Sequence, residues 1–161
     1  MKMIEMFQAQ LEDEAGRTRR ALERTPEGQD DWKPHDKSMT LGRLAMLVAT
    51  MPSWLDLVIN RDKLDLSPSG GSNVRQTPLR TPAELVKALE EGVAAARKAL
   101  AGTSEEHLLK PWRLLVSGRV VSEQPRYIVV RDTFMHWAHH CGQLTPAAQE
   151  PACSGDLQAV G

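Results

Sequence analysis

The segment His136-Trp-Ala-His-His140 sets two imidazoles four residues apart. In a helix, residues at i and i+4 share a face with Cβ atoms about 5–6 Å apart, so both rings can reach one divalent cation. His139 falls off that face and makes a poorer partner for His136. A cation held there would polarise a water or a thiol for transfer or hydrolysis of a small electrophile. Catalytic sites normally draw on three protein donors, so two imidazoles leave a set unfinished. Asp132, four residues before His136, lies on the same face. It either supplies the missing donor, or orients the His136 ring from behind as carboxylates commonly do, or is a solvated surface carboxylate. The histidines have a second reading too, as interior or interface imidazoles left from an ancestral site. Cys141 follows them directly, but nothing in the sequence lowers its pKa, and a small buried hydrophobe is the expectation.

A chain of 161 residues, 41% hydrophobic and 25% charged, has the size and composition of one ordinary globular domain. Its net charge of −1 gives no field for steering nucleic acid, and no Lys/Arg cluster is dense enough to track phosphates. Cys141 and Cys153 fall in a helix and in a tail, so no disulfide framework is expected. The N-terminus turns acidic too early for a secretory signal, and no apolar run approaches the roughly 20 residues of a membrane span. A cytoplasmic protein with a small-molecule ligand, and without nucleic-acid or membrane partners, is the resulting expectation.

Four helices must position the histidines. Ile4, Phe7, Leu11, Ala15, Ala21 and Leu22 recur at helical spacing over residues 3–24, and Pro26 and Gly28 end that run. Trp32 is expected to fold back onto the bundle. Thr40 caps a second helix from Leu41 to about Asn60, with Pro52 predicting a kink. Ser67-Pro-Ser-Gly-Gly-Ser-Asn73 reads as a mobile loop. Thr81-Pro-Ala-Glu84 is a capping box that opens a third helix, which stops at Gly102. Residues 112–121 are rich in β-branched side chains around Ser117-Gly118 and predict a short hairpin or an extended crossover. The last helix opens near Pro125 and carries the histidines. The fold class expected is all-α, a four-helix bundle with that hairpin or crossover between helices three and four. Trp54, Trp112 and Trp137 either line a pocket or fill the core.

The order Trp32-Lys-Pro34, then Lys37-Ser-Met-Thr-Leu-Gly-Arg-Leu-Ala-Met46, then a last helix ending His-His-Cys-Gly-Gln-Leu144, resembles the DinB-like family. The resemblance spans residues 3–144. It implies a four-helix bundle, often dimeric, that binds nickel or zinc through three histidines, one from the second helix and two from the last. Relatives of that kind include transferases and isomerases that use low-molecular-weight thiols. His136 and His140 match the two ligands of the last helix. At the remaining ligand position this chain has Leu47, which has no lone pair to donate, so the triad is degenerate and the implied activity reduced or lost. The alternative is a non-catalytic small-molecule-binding or dimeric interaction module derived from a metalloenzyme. Cys141 stands where the family usually has an arginine.

Residues 1–144 are therefore read as the DinB-like bundle and 145–161 as an irregular tail. Pro146 disfavours helix past Leu144, and 149–161 has little pattern. Codons that spell 145–161, read one nucleotide later, can spell His-Leu-Arg-Leu-Lys-Asn-Leu-Pro-Val-Pro-Ala-Ile-Tyr-Arg-Pro-Ser. That string resembles the ending the family implies, and it points to a frameshifted or diverged C-terminus. The gene sequence tests this directly.

Overall fold

The computed structural model describes residues 1–67 and 77–156, with side chains described as far as Pro146. In chain order the elements are α1 Met3–Glu23, α2 Leu41–Thr50, α3 Pro52–Asn60, β1 Lys63–Asp65, α4 Pro82–Gly102, α5 Glu105–Leu109, β2 Pro111–Val116, β3 Arg119–Pro125 and α6 Arg126–Asp156. The expected all-α class is corrected by this order. Among the described residues there are six helices and a three-stranded mixed sheet, β1-β2-β3, with β1 parallel and β3 antiparallel to β2. The long helices still form the bundle: α4 and α6 each pack against α1, α2 and α3.

The sheet arises from local chemistry that extends the predicted hairpin. Ser117 and Gly118 take positive φ values of 51° and 77°, the left-handed pair that a two-residue turn needs to match strand twist. The Asp65 carboxylate then accepts the backbone N–H groups of Ser117 at 3.0 Å and Gly118 at 2.8 Å, along with Ser67 at 3.0 Å. That clasp ties β1 to the turn. The loop expected over 67–73 lies, apart from Ser67, outside the described residues.

The helix boundaries follow their caps. Thr81 accepts from the Glu84 N–H at 3.2 Å, and Glu84 returns the bond to the Thr81 N–H at 3.1 Å. Glu105 of α5 reaches the first N–H groups of α1, at 3.2 Å to Met3 and 2.9 Å to Ile4, so a distant carboxylate does the work of a cap. The expected kink at Pro52 is a break. The chain bends by 43° between α2 and α3, with Pro52 at the first position of α3, where its missing N–H costs nothing. Gly92 of α4 lets α3 come close, since a Cβ there would sit 3.1 Å from the Ser53 nitrogen. Beyond Leu144, α6 continues through Pro146 to Asp156, where Pro146 predicts a stop. The carbonyl that Pro146 leaves without a donor belongs to Gly142, an exposed residue that water can reach.

Arg126 is a buried ion that the sequence pattern does not announce. Its side chain is fully inaccessible, and the guanidinium donates to the carbonyls of Val58 (2.8 Å), Arg61 (3.1 Å) and His107 (3.3 Å) and to the Asp62 carboxylate (2.7 Å). Two of those carbonyls are the orphan acceptors at the end of α3, whose dipole places partial negative charge there. His107 lies in α5, and its Nε2 meets the Ile59 carbonyl at 2.9 Å. Together these contacts lock α3, α5 and the start of α6.

Glu14 of α1 is buried at 6% exposure, and burial holds its carboxyl above the ordinary value of 4.5 despite the nearby Arg17. A carboxyl shifted in that direction favours the fold while protonated. The contribution is complete below pH 4.5 and is lost as pH rises through the folded value. Glu14→Gln, neutral at every pH, is expected to raise the melting temperature at pH about 7.5 and to leave it unchanged near pH ~4. Equal melting curves at both pH values would show that the carboxylate is comfortable where it is.

Candidate functional site

The rotation of α6 is set by its apolar stripe, and that rotation aims the histidines. Val130, Phe134, Trp137, Cys141 and Leu144 are buried, with Phe134 stacked between Phe7 at 5.8 Å and Trp137 at 6.4 Å between ring centroids. His136 and His140 fall on the flank of that stripe. Their Nε2 atoms stand 2.8 Å apart. His140 Nδ1 lies 2.7 Å from Oε1 of Gln143, one turn on, and an amide oxygen only accepts, so Nδ1 carries the proton. The Nε2 lone pair of His140 therefore points at His136, whose own Nε2 proton fills the gap between them.

Two nitrogens each about 2.0–2.1 Å from one cation stand about 2.9–3.3 Å apart, so the observed 2.8 Å lies just below that range and the rings would open slightly to seat a shared metal. Partial burial, with the adjoining His140 and His139 rings, holds His136 below the ordinary histidine range. To turn its Nε2 lone pair to a cation beside that of His140, the His136 ring carries its proton on Nδ1 instead. His139 meets His140 edge-on at 5.2 Å and stays exposed. The residues present thus fit a two-imidazole cation site. Among the described residues no three His, Cys, Asp or Glu side chains come together as a metal set. Asp132 shares a cavity wall with His136, but its Oδ1 is held by the Arg131 guanidinium at 2.8 and 3.0 Å. Leu47 is half-buried in α2 and packs against the core as an apolar side chain.

Two cavities adjoin the pair. One, of about 490 Å³, reaches His136 and is walled by Trp54, Leu57, Leu64, Trp112, Leu114 and Val129. Trp54 stands at its rim, 40% exposed, with its ring edge-on to His136 at 6.1 Å. The other, of about 530 Å³, reaches His140 and Gln143 and is bounded by Trp32, Pro34, Lys37, Ser38 and Met39. Trp54 and Trp112 thus line a pocket, whereas Trp137 fills the core. Trp32 does fold back against the bundle. Cys141 is buried, accepts from the Thr18 hydroxyl at 3.6 Å, and has its thiol pushed up by burial, as suits a packing residue. Gln143, which meets His140, is the neighbour of the pair that sequence reading passed over. Its signal was the i+3 spacing from His140.

No protein-family model and no curated protein matches this sequence. Among solved structures, the chain is similar to a DinB-like protein of Bacillus subtilis, YjoA, at a TM-score of 0.69 over 91% of this chain and 92% of that one, with 16% sequence identity. The chain has a DinB-like fold. At that identity the likeness speaks for the path of the backbone. In the DinB-like fold of this chain the His136–His140 pair and its two cavities rest on the geometry above. No single helix among the described residues is long and apolar enough to cross a membrane, and the apolar stripes of α2 and α3 are buried in the bundle.

Proposed function

We propose that this DinB-like chain binds a divalent cation, nickel or zinc, through His136 and His140, and descends from the thiol-dependent transferase or hydrolase class with turnover reduced or lost. The observation that carries the reading is the convergence of the two Nε2 atoms at 2.8 Å, with His140 oriented by Gln143. Ring orientation by a hydrogen bond at the far nitrogen is the usual support of a ligating histidine. A bound divalent cation would supply Lewis acidity, lowering the pKa of a thiol or water. The chain's own residues do the rest. Trp54 and Trp112 offer an apolar wall to a ligand beside His136, and Lys37 offers a positive charge to a thiol's carboxylate beside His140. Asp132, turned toward Arg131, is free to swing to the pair only by giving up that contact.

A specific observation favours a second reading, a non-catalytic small-molecule-binding module that persists alone or as a homodimer. Leu47, at the position where the resemblance implies a third histidine, packs as an apolar side chain, and the described residues offer no replacement.

Metal content separates the two. Protein purified without an affinity tag and analysed by plasma mass spectrometry is expected to carry nickel or zinc, and His136→Ala to carry background only. Background metal in both, together with ligand binding indifferent to chelator, would leave the binding module standing.

A further inference from the structure

A third cavity, of about 360 Å³, opens between α1 and α6 on the other flank of the α6 core stripe from the histidines. Its α1 wall carries Arg17, Arg20 and Arg24, and its α6 wall carries Ala138, Cys141, Gly142 and Thr145. The three arginines sit at i, i+3 and i+7, which brings their guanidiniums to one face. The arginines at the α1–α4 seam are matched. Arg19 pairs with Glu23 and Glu90, and Arg97 with Glu12. Arg17 is taken up by Asp13 at 2.6 Å and by Glu14 at 3.4 Å. Arg20 and Arg24 have no carboxylate partner among the described residues, so two like charges face one opening.

The opposite wall has room and no charge. Gly142 is exposed within a helix, and a Cβ there would meet nothing within 4 Å, so the missing side chain serves no close approach and simply enlarges the cavity. Thr145 turns its hydroxyl to the Cys141 carbonyl at 3.1 Å, and Thr18 holds the Cys141 sulfur, which stays a neutral thiol because burial raises its pKa. The one carboxylate lining the cavity, Glu14, is spent on Arg17. We infer that this cavity is a binding site for a small phosphomonoester, with Arg20 and Arg24 gripping the phosphoryl oxygens and the space above Gly142 taking the organic group. Planar guanidiniums pair with phosphoryl oxygens two at a time, which is why arginine rather than lysine suits the task. The site is independent of the histidine pair and of any metal there.

The test is calorimetric titration of the full chain with phenyl phosphate and with inorganic phosphate at fixed low ionic strength. Saturable binding of phenyl phosphate is expected, weakened at least tenfold in Arg20→Gln/Arg24→Gln. It should change less than twofold in Arg43→Gln/Arg119→Gln, which removes the same charge elsewhere, and in His136→Ala. Gly142→Phe keeps every arginine and fills the space, and it should weaken phenyl phosphate more than inorganic phosphate. Equal affinity for the two probes would assign the site to the free anion and overturn the organic half of the inference. No saturation, or equal losses in the two double variants, would overturn it entirely. Should Gly142→Phe fail to fold, the comparison of the two charge-removing pairs decides alone.

Discussion

Arg126→Met is expected to lower unfolding stability by about 3–5 kcal/mol, chiefly because carbonyls lose the donor that satisfies them, while the exposed Asp62 carboxylate returns to water. Methionine nearly fills the volume but donates nothing, so the carbonyls of Val58, Arg61 and His107 lose their partner at once. Each acceptor left buried without a donor costs about 1–3 kcal/mol. For a domain whose total stability is about 5–15 kcal/mol, that is a large share. Arg126→Lys keeps the charge but has no planar fork, and it should recover only part of the loss. Urea unfolding checks both, with the midpoint moving and the slope unchanged. A loss below about 1 kcal/mol for the methionine variant would mean that water replaces the guanidinium freely, contrary to its complete burial.

Leu47→His is expected to raise affinity for nickel or zinc well beyond the 10–100-fold that a supporting hydrogen bond to a ligand is worth, roughly, because it adds a donor rather than orienting one. The substitution also puts a polar ring where a half-buried leucine packs against the core, so a modest fall in metal-free stability should accompany the gain. Competition with a chromogenic chelator measures the affinity, and melting curves with and without metal measure the coupling. If affinity stays at the parent value, position 47 does not face the imidazoles, and the relation between this chain and the three-histidine pattern fails at that point.

Both experiments bear on how much of the molecule could be read from its residues. What was legible had a signal within one or two turns of chain. Thr81 and Glu84 announced the start of α4, Ser117-Gly118 announced the turn between β2 and β3, and the four-residue spacing of the histidines announced their shared face. What was missed depends on residues far apart. β1 is three residues long, too short to show a period, and exists because Arg113–Leu115 pair with it some fifty positions later. That strand turned an expected all-α bundle into a helical domain with a sheet. Arg126 had one faint signal. A cation in the first turn opposes the dipole of its own helix, which implies a stronger partner elsewhere. The bend at Pro52 was foreseen, and its size depended on how α3 settles against α4 at Gly92.

His136, His140 and Gln143 all belong to α6, within eight consecutive residues. A cation seated on them would cross-link nothing, since its donors come from neighbouring turns of one rod. Loading or stripping it would leave the grip between helices as it was, whereas a donor at position 47 would make the same cation a rivet joining α2 to α6. A metal held in that way would be a passenger of one helix, and the architecture around it would stand whether or not the seat were taken.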